Sequence, residues 1–335
     1  MKPSMMISVL FVVLCLTALI SLSLGRYPVS VGDILRVMGL MVSDQPVMDE
    51  HQYLILKNIL IDIRLPRITA AILIGAALSV SGAVFQSMFM NPLVSPGLLG
   101  VLAGASFGAS VGMIVARSWF VVQLGAFSFG LIAVLAALAI SSISRRDQLL
   151  MLILGGIISG ALFTSLLSVV KYMADPYEQL PAIIYWLMGG LSAIDSVTVL
   201  AVCGPVLIGI LSLLLLSGYL NVLSMGDEEA RSLGVNVRFL RLLFIFLATI
   251  ISSLTVVMGG VIGWVGLLIP HIARMLVGPD NRILLPAAAL IGATYLLIAD
   301  DIARLLFSIE IPIGILTSLV GIPFFALVVR NARKG

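Results

Sequence analysis

Long apolar runs, each closed by a short cluster of charge, proline or glycine, recur along this chain from residues 1–24 to residues 313–329, and none carries Asp, Glu, Lys or Arg at its centre. A run of about twenty apolar residues matches the ~30 Å hydrocarbon layer of a bilayer. In that layer every backbone amide and carbonyl must be satisfied within the protein, so runs of this length fold as helices. The composition agrees: 61% of the 335 residues are hydrophobic and 10% are charged, too little polar side chain to cover a water-soluble fold. The expectation is an all-α, polytopic membrane protein of ten transmembrane helices, forming a single transmembrane domain over residues 1–335. Residues 1–24 are too long and apolar for a cleaved leader and read as the first, retained span.

The breaks between the runs carry the remaining information. A polar segment over about 25–65 contains two amphipathic pieces, 31–41 and 53–63, expected as short surface helices. RLPR at 64–67 then places two guanidinium groups at one membrane face, before the run 68–90. NPLVSPG at 91–97 cannot continue a helix, because each proline lacks an amide donor and disfavours helix in the residue before it. Gly100, Gly104, Gly108 and Gly112 recur every four residues, which predicts a close helix contact. Further spans are expected at 119–140, 148–170, 197–216, 242–258 and 284–299. Between the last two of these lies a short or broken span, interrupted by Gly259, Gly260, Gly263 and Gly266 and stopped at PHIAR 270–274. DDIAR at 300–304 reads as a polar break ahead of the last span.

Ten spans place both termini on one face. The loops of that face hold Lys2, Arg145, Arg146, Arg231, Arg238, Arg241, Arg274, Arg282, Arg330, Arg333 and Lys334, more basic residues than the opposite loops, which favours termini in the cytoplasm. On the same face lies a charged island, LSMGDEEARSLGV at 223–235, holding three of the chain's sixteen acids. Asp227, Glu228 and Glu229 suit the positive end of a helix dipole, Arg231 follows at i+4 and i+3 from the first two, and Gly234 stands where a C-terminal cap belongs. A helix of about seven residues is too short to persist alone in water. Ala230 and Leu233 offer an apolar face by which it could plug a partner's groove, and a solvated connecting loop is the other reading.

Several chemistries are missing. No GxxxxGK[ST] loop is present, so the chain has no phosphate-binding loop for ATP. His51 and His271 are the only histidines, and Cys15 and Cys203 sit in apolar runs, so neither a metal cluster, a disulfide framework nor a catalytic constellation is indicated. Without ionisable groups inside the spans, an autonomous carrier driven by an ion gradient is the weaker alternative. The net charge of +3, dispersed along the chain, points to no nucleic acid.

Taken in order, RLPR 64–67, GAAL 75–78, SGAVFQ 81–86, NPLVSPGLLG 91–100, WLMGG 186–190, the island 223–235, GLLIPHIAR 266–274, ADDIAR 299–304, IPIGI 311–315 and GIP 321–323 resemble the permease subunits of the ABC importers for iron siderophores, haem and cobalamin. The resemblance spans nearly the whole chain. It implies a cobalamin-permease-like fold and a homodimer in the cytoplasmic (inner) membrane of a prokaryote. Two cytoplasmic ATPase subunits would bind ATP and Mg, this chain holding no cofactor, and a substrate-binding protein would dock outside. Residues 226–234, with Gly226, Asp227, Glu228, Glu229, Ala230, Arg231, Leu233 and Gly234, then resemble the coupling helix seated in the ATPase, within a cytoplasmic segment at about 223–237. Arg64, Arg67 and Arg304 resemble arginines that pair, exposed, with acids of the binding protein; interfacial anchoring is their other reading. Asn91 and Leu93 resemble the cytoplasmic gate, and a capped turn is the alternative. The expected cargo is an iron chelate, with haem, cobalamin or an oxyanion such as molybdate as alternatives. Gly189-Gly190-Leu191 departs from the family's frequent Gly-Ser-Leu.

Overall fold

A computed structural model describes residues 3–40, 49–116, 118–143, 148–306 and 308–332, and the regular structure within them is entirely helical. In chain order the helices are α1 (Pro3–Ser23), α2 (Val31–Leu40), α3 (Glu50–Lys57), α4 (Leu65–Met88), α5 (Val101–Val115), α6 (Trp119–Ser141), α7 (Gln148–Met173), α8 (Gln179–Leu187), α9 (Ser196–Leu215) and α10 (Ser217–Leu223). They continue with α11 (Asp227–Ser232), α12 (Val237–Gly259), α13 (Val265–Val277), α14 (Asn281–Leu305) and α15 (Ile313–Ala332). Seven are long and apolar enough to cross a membrane, and shorter apolar helices at Val101–Val115, Val265–Val277 and Ile313–Leu327 supply the other three expected spans. Of the basic residues named for the orientation, Lys2, Arg145, Arg146, Arg333 and Lys334 lie outside the described residues.

α4 is the hub. Its run of Ala, Gly, Ser and Val is buried along nearly its full length, because α9, α12, α13 and α14 all pack on it. Small side chains make these contacts possible. Gly75 and Gly292 face each other across the α4–α14 contact, and a Cβ on either would come within 2.2 Å or 2.4 Å of the other's carbonyl oxygen. Against α13 the approach is closer still. Pro270 cannot donate to the Gly266 carbonyl one turn earlier, and that oxygen lies over Gly82, where a Cβ would stand 1.9 Å from it. Three of the four repeated glycines pack as expected, Gly108 of α5 meeting Gly125 of α6 backbone to backbone with Gly104 and Gly112 on the same seam, whereas Gly100 precedes α5 at φ +84° and faces Gly160 of α7. Helices α1, α6 and α7 instead turn apolar side chains outward, among them Phe11, Leu135, Ile157 and Leu162, as spans facing lipid do.

The helix boundaries depart from the sequence reading in four places. Residues 53–63 are not a separate surface helix: α3 runs through a π-helical segment, Asn58–Arg64, straight into α4, with Pro66 in the first turn of α4, where its missing amide costs little. Of the two expected pieces, α2 is the one that forms a separate short helix, held by a small core of Val29, Ile34, Val37, Leu56 and Leu60. Arg238 and Arg241 lie inside α12 rather than before it. α13 passes through Pro270 and Arg274 to Val277. DDIAR 300–304 is no break but the last turns of α14, since its charges are paired and α14 need not end to hydrate them.

Candidate functional site

The island folds as α11 with both ends specified by glycine. Gly226 takes φ +116° ahead of the first turn, and Gly234 takes φ +78° after the last. There the Val235 amide donates to the Ala230 carbonyl at 3.2 Å and the Gly234 amide to Arg231 at 2.9 Å, the paired bonds of a Schellman cap. Asp227 accepts from Arg241 of α12 at 2.6 Å and stands 3.9 Å from Arg231. The pair with Arg241, whose side chain is 7% exposed, fastens the short helix to a long one. Ala230 is fully buried against the protein's own core, so it is not part of an outward apolar face as expected. The outward apolar surface is instead made of Leu233, Met225 and Phe239, each 60% exposed, beside exposed Glu228, Glu229 and Arg231.

Next to α11, α10 carries Asn221, which donates to Asp280 at 2.6 Å and accepts from both the backbone amide and the side-chain amide of Asn281 at 2.8 Å. Asp280 caps α14 by accepting from the Arg282 amide at 3.0 Å. The Asn221 donor, then that amide, hold the Asp280 carboxyl below its ordinary value. The turn at 91–97 lies at the same end of the bundle: Asn91 Oδ1 accepts from the Leu93 amide at 2.9 Å, the capped-turn geometry. Leu93 is 52% exposed. Asn91 also lines a cavity with Gln86, Ser224, His271 and Arg274, so turn, PHIAR segment and island edge converge.

The opposite end holds a second cluster. Arg67 donates to Asp300 from Nε at 2.9 Å and from Nη2 at 2.7 Å, and to Glu310 from both terminal nitrogens. Arg304 pairs with Asp301 one turn earlier, lies 3.5 Å from Asp300, and donates to Ser21 Oγ at 2.9 Å and the Leu24 carbonyl at 3.0 Å. Arg64 donates to the carbonyls of Leu22 and Tyr27. Two arginines, Arg67 and Arg304, meet three carboxylates, and the third arginine, Arg64, is held by backbone carbonyls. The network ties α1, α4, α14 and the segment before α15 together. Arg64, Arg67 and Arg304 are 4%, 8% and 9% exposed, which corrects the expectation of exposed arginines. Asp300, Asp301 and Glu310, the partners that draw them inward, were missed in the sequence; the i+4 and i+3 spacing to Arg304 was the available signal.

Residues 12–331 match the model of the FecCD transport family. The chain belongs to that family. It is 39% identical to the molybdate import system permease protein MolB of Haemophilus influenzae over 341 residues, covering 100% of this chain and 99% of that one. It is 41% identical over 285 residues to the hemin transport system permease protein HmuU of Yersinia pestis, covering 83% and 84% of the two chains. Among solved structures, one described as an inward-facing, metal-chelate type ABC transporter superposes with a TM-score of 0.85 at 39% identity, over 97% of this chain and 98% of that one.

Proposed function

We propose that this chain is the permease subunit of a binding-protein-dependent ABC importer, working as a homodimer and driven by two separate ATPase subunits. The observation that carries the reading is α11. A capped, six-residue helix tied to α12 through Asp227 and Arg241 presents Leu233, Met225 and Phe239 among charges, on the same end as the Asn91 turn. A push on α11 reaches α12 through that ion pair and α14 through Asn221 and Asn281. The match over 12–331 to a transport family supports the same role. With α11 on the ATPase side, both termini face the cytoplasm and the arginine end faces outward toward the binding protein.

The cargo we infer is an iron chelate. A second reading, an oxyanion such as molybdate, is favoured by the full-length 39% match to MolB. The cognate binding protein decides between them. Titration calorimetry with ferric hydroxamates, ferric catecholates, haem, cobalamin and molybdate should give sub-micromolar binding for the iron chelates, and tight binding of molybdate alone would replace that cargo by the oxyanion. For the importer itself, co-purification of the ATPase should be lost on Leu233→Asp; normal recovery of the ATPase with that variant would contradict the placement of α11.

A further inference from the structure

The cavity where the Asn91 turn, the PHIAR segment and the island edge meet has a volume of about 440 Å³ and is lined by Gln86, Asn91, Ser224, His271, Arg274 and Asn281, among others. A volume of several hundred Å³ is typical of ligand pockets. Its charge is one-sided. Arg274 donates from Nη1 to Gln86 Oε1 at 3.1 Å, and among the described residues it forms no ion pair. This contrasts with Arg67, Arg241 and Arg304, which all meet carboxylates. Gln86 is held in turn by the Leu267 carbonyl at 3.2 Å, so Arg274 is aimed by a buried, fixed partner. Asn91 spends its amide oxygen on Leu93, leaving its NH2 without a protein acceptor among the described residues. The nearest acid in sequence, Asp280, is engaged by Asn221 and the Arg282 amide. Arg274 lies in the last turn of α13, where the helix's C-terminal partial charge of about −0.5 offsets only part of the guanidinium. Uncommitted donors, a full positive charge and no lining carboxylate make an anion receptor.

We propose that this cavity binds a small free oxyanion of the sulfate, phosphate or molybdate class, with Arg274 as the principal donor and Asn91 as the second. The site is at the α11 end of the bundle and involves no residue of the ATPase-facing helix itself. It therefore goes beyond the importer reading, and its test uses the permease without ATPase or binding protein.

Equilibrium dialysis of the purified permease in nanodiscs of phosphatidylcholine, with radiolabelled sulfate, phosphate or molybdate, should show saturable binding of one ion per chain. Arg274→Gln should weaken it at least ~10-fold, since a charge-assisted bond is removed, and Asn91→Ala by a smaller factor. Arg274→Lys keeps the charge without the planar fork and should retain part of the binding; it serves as the readout if Arg274→Gln does not run as a single dimeric species. No saturable binding in the wild-type protein, or equal binding by Arg274→Gln, would overturn the proposal. Nanodiscs with phosphatidylglycerol added should bind the ion equally; loss of binding there would show that a lipid headgroup takes the site and would overturn the assignment to a free anion.

Discussion

Asp300 has no exposed surface and accepts from Arg67 at 2.7 Å with Arg304 3.5 Å away, so the sequence choice at 67 decides whether that buried carboxyl keeps its partner. Arg67→Ala should destabilise the protein by about 3–5 kcal/mol, the range for removing one partner of a buried pair. Arg67→Ala with Asp300→Ala should cost less than Arg67→Ala alone, and detergent melting curves of the two variants give the comparison. Glu310 is the outermost acid of that network, with 24% of its side chain exposed. If Arg67 pairs with an acid of the binding protein, Glu310→Ala removes an internal competitor and should tighten docking several-fold in surface plasmon resonance; unchanged or weaker docking would assign Arg67 to internal pairing alone. At the other end, the Asp280 carboxyl is held below its ordinary value of ~4 in the folded protein. Its capping contribution is therefore present above about pH 4 and is lost as pH falls through the lower folded value. The melting difference between wild type and Asp280→Asn should be constant from about pH 8 to 5 and close only in stronger acid.

At the scale of elements, the packing of α4 rests on glycine where a backbone crosses. Gly82→Ala should abolish a monodisperse permease in fluorescence-detected size exclusion, because the Gly266 carbonyl cannot retreat from a Cβ without moving α13. Gly160→Ala, in the middle of α7, where a Cβ would meet only the Gly100 Cα at 3.7 Å, should be neutral or stabilising by up to ~1 kcal/mol. Both glycines are visible in the sequence, and only the crossing geometry separates them. The spans themselves were legible because apolar run length is set by the bilayer, and the island helix because Gly226, the acids and Gly234 act locally. What stayed hidden was pairing across elements. Nothing near residue 300 announces Arg67, and nothing near residue 227 announces Arg241, so charges that read as membrane-surface breaks turned out to lie inside helices. Ala230 was misread for the same reason: its burial depends on what lies under α11, not on its neighbours in sequence.

For the whole molecule, the bundle has two polar ends with different logics. The arginine end is closed, with Arg67 and Arg304 paired to carboxylates, and cross-bonded between α1, α4 and α14. The α11 end presents apolar side chains among charges and a cationic cavity beside a proline turn. That asymmetry suits a transporter that receives force at one end and a docking partner at the other. Among the described residues no Asp, Glu, Lys or Arg lies at the centre of a span. The most direct test of this account is cargo uptake into proteoliposomes holding the permease, its ATPase and the cargo-loaded binding protein. Uptake should require ATP inside the ATPase-accessible compartment and fall to background when Glu228 and Arg231 are replaced together; uptake driven by a proton or sodium gradient with the ATPase omitted would contradict it.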